Sequence, residues 1–199
     1  MTDLDAVNRA LVLIGVAPVA SLRDHTQAAR TGAALLPDTK KVVLNEFPWS
    51  FALRIEPLVP LSTTVPGYEY VFKYPEDALN VQRVYDKTGF RGLAEYRVDG
   101  VGDDMVIATH INEGTVEYTA FVEDLNSWPR QVQECLCTRL ASDMAMALTG
   151  APQLMMSMLE KYTVLARAAS QVSIVEENVP LMRAMDYLNV RQSPPTQGN

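Results

Sequence analysis

Two cysteines and two histidines in 199 residues leave little from which to build a metal centre or thiol chemistry. Cys135 and Cys137 are two apart, so on a helix they point about 200° away from each other and cannot form a disulfide. They read as small apolar core residues. His25 and His110 lie far from them in sequence, and no closely spaced zinc ligand set exists. Basic charge is also scarce. Seventeen Lys and Arg face 24 Asp and Glu, a net charge of −7, and no basic cluster exceeds the Lys40-Lys41 pair. Tight nucleic-acid binding needs clustered cations to displace phosphate counterions, so it is disfavoured. A negative chain can still surround DNA without adhering to it. No apolar run is long enough to cross a bilayer, and no membrane binding is expected. The acidic first five residues do not suit a secretory or transit signal, so the expected site of synthesis is a cytoplasm. The ten glycines are dispersed, with no phosphate-cradling loop. Gly100-Val101-Gly102 runs into Asp103 and Asp104, which would repel phosphate. Asp24-His25 has no serine in a Gly-flanked elbow to complete a triad and reads as a helix-start turn. No cofactor is implied.

What is present is an ordinary globular composition, 48% hydrophobic and 21% charged, sized for one domain or two small lobes sharing a core. Leu4, Val7, Leu11 and Ile14 form one apolar stripe of a first helix. Thr2 and Asp5 are spaced as a capping box, and Gly15 with Pro18 stops the helix. The second helix is expected to start at an Asp24 N-cap and to bury Ala28, Ala29, Leu35, Leu36, Val42, Val43 and Phe47. Pro37 within it predicts a kink or a break near Leu36. After Pro48, Trp49-Ser50-Phe51 begins an extended stretch.

The apolar period then changes from 3.6 to 2. Tyr68, Tyr70, Phe72 and Tyr74 alternate with Glu69, Val71 and Lys73 as a half-buried strand. Further strands are expected at 81–85, 93–98, 105–109 and 115–122. Asp86-Lys87-Thr88-Gly89 reads as a turn, and Asp99-Gly100 and Asn112-Glu113-Gly114 read as hairpin loops. The connections are too short for crossover helices, so the module is antiparallel. Helical spacing resumes at Pro129. Val132, Leu136, Leu140, Met144 and Leu148 trace one face of a third helix, with Ala141, Ala145 and Ala147 allowing close approach. Thr149-Gly150-Ala151-Pro152 separates it from a fourth, expected to bury Met155, Leu159, Tyr162, Leu165, Ala166 and Ala169 and to reach about Glu176. The expected class is therefore α+β: a four-helix bundle-like domain with an inserted antiparallel β module and an extended C-terminal tail. The divisions are 1–50 and 126–177 for the helical domain, 51–125 for the β module and 178–199 for the tail.

Several segments carry a family resemblance. Ala6-Val7-Asn8-Arg9-Ala10-Leu11-Val12-Leu13-Ile14-Gly15-Val16-Ala17-Pro18-Val19 resembles the opening A-V-N-x-x-L-x-x-I-G-x-x-P-V of podovirus tail tubular protein A, the head-to-tail adaptor family. Phe47-Pro48-Trp49-Ser50-Phe51 resembles that family's W-x-F element, where a helix hands over to a sheet. Tyr70 to Val81 is similar to its aromatic strand followed by P-x-D-x-L-x-V, and Val116 to Asp124 to its last strand. Leu140 to Ala145 with the 149–152 break is similar to its helical hairpin. The segments occur in one order over roughly the first 177 residues.

The resemblance implies a structural virion protein in the tail connector. Its subunits would form a twelve-fold ring between the portal protein and a nozzle of tail tubular protein B type, and the genome would pass through the lumen without specific binding. The acidic balance fits that passage, because a lumen that does not attract phosphate lets DNA slide. A neck or head-completion protein of another tailed phage is the nearest alternative. A cell-wall or polysaccharide hydrolase using Glu113, Glu117, Glu123 and Asp124 is the distant one. Glycoside hydrolysis needs two carboxylates at a fixed separation, and these four read more simply as solvated surface charge. The chain is not expected to be an enzyme. Trp49 and Trp128 are expected to anchor core at the junction of bundle and sheet. The methionine cluster at 155–158 reads first as core filling and second as an adaptable interface, and Met156 and Met158 are its subunit-interface candidates. Leu181, Met185 and Leu188 are spaced to dock the tail on the portal or a neighbouring subunit.

Overall fold

The computed structural model of the chain describes residues 1–89 and 92–176, with side chains through Ser173. The expected tail at 178–199, with Leu181, Met185 and Leu188, lies outside the described residues. Among the described residues the chain is a mixed α+β protein with four α-helices and two antiparallel sheets.

Helix α1 (Asp3–Leu13) opens on the capping box expected from its sequence. The Thr2 N–H donates to Asp5 Oδ2 at 2.8 Å, and the Asp5 N–H returns a bond to Thr2 Oγ1 at 3.2 Å. Gly15 sits at φ +74°, a left-handed exit that lets Val16 N–H reach the Leu11 carbonyl at 2.9 Å. Helix α2 (Gln27–Glu46) begins later than expected. Thr26 is its N-cap, while Asp24 instead accepts from the Ser21 N–H and closes the preceding turn.

Helix α2 also continues unbroken through Pro37. Pro37 and Ala33, whose carbonyl loses its helical donor, are both exposed, so the proline lies on the solvent side of the helix, where a freed carbonyl costs least. Gly32, Leu36, Thr39, Lys40 and Val43 meanwhile hold the buried face down. A Cβ on Gly32 would meet Val7 Cγ1 at 2.4 Å, so the missing side chain sets the close α1–α2 approach. Val42, expected on the buried stripe, is exposed, and Leu44 takes its place. Lys40 is buried, and its ammonium donates to Asp3 Oδ1 at 2.8 Å and the Glu123 carbonyl at 3.0 Å. It ties α1 and α2 to the chain leaving the sheets.

Ser50–Ala52 is a 3-10 turn, where an extended stretch was expected, and it leads into β1 (Leu53–Pro57). The remaining strands are β2 (Tyr70–Lys73), β3 (Ala78–Asp86), β4 (Leu93–Ala94), β5 (Tyr96–Val101), β6 (Asp104–Thr109) and β7 (Gly114–Ala120). They form two sheets, in the orders β1-β7-β3-β4 and β2-β6-β5. The expected single strand at 93–98 is thus divided. The chain changes sheets at Glu95, whose carbonyl accepts from Thr109 Oγ1 at 2.7 Å. Asp99-Gly100 lies inside β5, and the hairpin turns at Gly102-Asp103, with Gly102 at φ +63°. Gly114 belongs to β7, paired with Asp86.

The expected alternation along Tyr68 to Tyr74 fails because the second sheet is covered on both sides. Phe72 and Ile107 face Val81, Val84, Val116 and Tyr118 of the first sheet. Val71, Val106 and Ala108 are roofed by Val65 and Tyr68. Tyr70 is left exposed at the end.

Helix α3 (Arg130–Thr149) is enclosed by α1, α2 and α4, so it buries more than one stripe. Cys135, Cys137, Thr138, Ala141, Ser142 and Ala145 join Val132, Leu136, Leu140 and Met144. Gly150, at φ +65°, caps it. Helix α4 (Pro152–Glu176) lies along α3 through Tyr162, Ala166 and Ala169, but Leu159, expected in this face, is exposed. Trp49 and Trp128 sit buried in the helical core beside Phe47 and Phe51, next to Leu79, Phe121 and Val122 from the β region.

Candidate functional site

No deep, enclosed site stands out among the described residues, and the candidate functional features are surfaces. The first is a division of charge. Residues 51–125 hold thirteen acidic and six basic residues, which accounts for the whole net charge of −7. The remaining residues hold eleven of each sign. Residues 1–50 and 126–177 alone hold ten acidic and nine basic residues, so the helical part is nearly balanced and the β part strongly acidic. This was legible in the sequence, but only once the boundary between the two parts is drawn.

The second feature is an open cleft of about 410 Å³ between β1 and the loop after β2, lined by Glu56, Pro57, Val59, Lys73, Glu76 and Asp77. Its charges are largely engaged with one another. Lys73 pairs with Glu76 at 2.6 Å, which raises the ammonium pKa and lowers that of the carboxyl. The buried Tyr118 hydroxyl donates to Asp77 Oδ1 at 3.0 Å; burial, then that bond, pushes its pKa up. Among the described residues no group of three or more His, Cys, Asp or Glu could hold a metal ion.

The four acids considered for hydrolysis do not converge. Glu113, Glu123 and Asp124 are exposed, and Asp124 accepts from the Asn126 N–H to cap a 3-10 turn. Glu117 corrects the expectation of solvated charge. It is 2% exposed and accepts from the Tyr85 hydroxyl at 2.6 Å, with Arg83 opposite it on β3. Glu113 lies in the exposed loop before β7, while Glu117 is enclosed within that strand.

A polar tie joins three helices. Thr39 Oγ1 donates to Asp143 Oδ2 at 3.1 Å, Arg139 pairs with Asp143 at 3.2 Å, and the Arg139 guanidinium lies 5.6 Å from the Tyr162 ring centre. The Tyr162 hydroxyl donates to Glu46, and burial followed by this bond raises its pKa.

Cys135 and Cys137 are enclosed, and burial pushes their thiols up to about 12 and about 11. Only the thiolate attacks disulfides. Both should therefore resist a thiol-exchange reagent at about pH 8 in the native protein and react once it is unfolded. Rapid colour release from the native chain would contradict their enclosure.

The third feature is the outer side of α4. Met156, expected at an interface, is 65% exposed, whereas Met158 is half-buried against the helical core. Met158 is thus part of the packing, and Leu159, Val164 and Val172 join Met156 on the surface. No helix among the described residues is long and apolar enough to cross a membrane. No protein-family model and no curated protein matches the chain.

Proposed function

We propose that the chain is a structural subunit of a tailed-phage connector, a head-to-tail adaptor. In this reading it acts without cofactor or catalysis. Twelve copies ring the axis between portal and nozzle, and the genome passes through. The observation that carries the reading is the order of the resembling segments along the fold. The first spans α1 and its Gly15 exit, the second the handover from α2 to β1, and the third β2 and the start of β3. The fourth spans β7, and the last the α3–α4 hairpin. The four helices act as one bundle-like domain from which the β module projects.

The division of charge supports the same reading. An acidic lobe repels phosphate, which suits a part that lies near moving DNA without gripping it. Heads assembled without this chain should fill with DNA and then fail to retain it or to acquire tails. Infectious, tailed particles of normal DNA content made in its absence would overturn the proposal.

A further inference from the structure

We propose that the cleft between β1 and the loop after β2 receives an arginine side chain from a partner protein. The cleft lies where the edges of the two sheets meet. β1 ends the first sheet, β2 ends the second, and residues 58–61 cross between them. Leu58 N–H donates to the Gly114 carbonyl at 3.0 Å, on the side of the first sheet. Lys73 N–H donates to the Val59 carbonyl and Leu61 N–H to the Val71 carbonyl, both at 2.8 Å, on the side of the second. Pro57, Val59, Pro75 and Val116 give the cleft apolar walls, and Val59 remains 55% exposed. Leu61, two residues along the same extended segment, shares the side of Val59 and is also exposed.

Charge selects the occupant. Glu56, Glu76 and Asp77 line the cleft against one cation, Lys73, and Lys73 is engaged by Glu76. Asp77 accepts from the enclosed Tyr118 hydroxyl, which brings no positive charge, and Glu56 lies beside the same hydroxyl. One proton cannot serve two carboxylates at once. Neither Glu56 nor Asp77 forms an ion pair among the described residues. Two uncompensated charges thus converge beside an apolar wall. Arginine matches both parts. Its stem covers carbon, and its planar fork carries enough N–H donors to bond two carboxylates together. A lysine ammonium is more strongly hydrated and gives up more water on entering. Phosphate is repelled, which excludes nucleic acid. A free small molecule also fits poorly, because small-ligand sites enclose most of their ligand and this cleft is open. The arginine therefore arrives on a larger surface, whose apolar neighbours meet Val59 and Leu61.

Amide NMR of the full chain, titrated with the peptide acetyl-Leu-Arg-Leu-amide, tests this. Saturating shifts are expected at Glu56, Lys73, Glu76, Asp77 and Val116, with a Kd of about 1 mM, and not in the helical part. The matching citrulline peptide, similar in shape but uncharged, should bind at least about tenfold more weakly. Glu56→Gln should weaken the arginine peptide about two- to fivefold. Lys73→Met, which releases Glu76, should tighten it by a similar factor. Both residues are exposed, so both variants should melt like wild type. Shifts absent from the cleft, equal binding of the citrulline peptide, or affinity indifferent to both variants would overturn the proposal. Arginine amide binding as tightly as the tripeptide would overturn the protein partner, since Val59 and Leu61 would then contribute nothing.

Discussion

Replacing Trp49 with alanine should cost about 3–5 kcal/mol of folding free energy, the range for truncating a buried tryptophan. The ring is fully enclosed and meets Phe47 edge-on at 5.4 Å between ring centres. Its indole N–H donates to the Val43 carbonyl at 2.7 Å. Alanine would leave a cavity where α2 turns toward the sheets, and it would remove the donor to that carbonyl. Domains of this kind are stable by about 5–15 kcal/mol, so the loss should shift the urea midpoint steeply and leave some chains unfolded at 37 °C. Trp49→Phe keeps most of the apolar volume and gives up the hydrogen bond, so it should cost clearly less. Equal midpoints for the two variants, or a loss under about 1 kcal/mol for alanine, would contradict this burial.

Gly114→Ala should be nearly as damaging, for a reason rooted in the backbone. A Cβ there would lie 2.0 Å from the Tyr85 carbonyl oxygen and 2.8 Å from Ile111 Cδ1. A side chain could swing aside, but a carbonyl in the β3–β7 ladder cannot do so without breaking the pairing of Asp86 with Gly114 and Tyr85 with Thr115. The Gly114 carbonyl also accepts from Leu58 N–H at 3.0 Å, so the end of β1 would loosen with it. Overpacking costs about 1–3 kcal/mol where neighbours can yield, and more where they cannot. A loss of about 3 kcal/mol or more is expected. Gly100→Ala is the matched control. It lies within β5 with nothing within 4 Å of the added carbon, and its midpoint should stay within about 0.5 kcal/mol of wild type. Indistinguishable midpoints for the two alanine variants would show that the close approach at Gly114 is absent.

Apart from the start of α2, where Thr26 and not Asp24 is the N-cap, helix ends were the most legible part of the fold, because their signals are local. Thr2, Asp5, Gly15 and Gly150 act on residues three to five positions away, and each does what its spacing predicts. Pro37 misled because its cost depends on which side of the helix it occupies, and that is fixed by packing. The β region was harder for the same reason. Nothing local to Glu95 announces that the chain changes sheets there. The alternation from Tyr68 to Tyr74 assumes one wet face that the covering residues 58–68 remove. Periodicity also understated α3, which is enclosed on several sides, and chose Leu159 for the core when the buried face falls on Tyr162 and Ala166.

The candidate surfaces show the same split. Spacing alone did not say which methionine of the 155–158 cluster faces out, and Met156 does; likewise the burial of Glu117 depends on Tyr85, 32 residues away on the neighbouring strand. Its enclosure requires knowing that β3 pairs with β7. The charge division needed no structure at all beyond the boundary of the β part.

The most direct test of the connector reading is cryo-electron microscopy of the purified chain mixed with a portal protein from the same source. The account predicts a twelve-subunit ring seated on the portal, with helices contacting neighbouring subunits and an open central channel. Portal particles that remain bare, with this chain free beside them at saturating concentration, would contradict it.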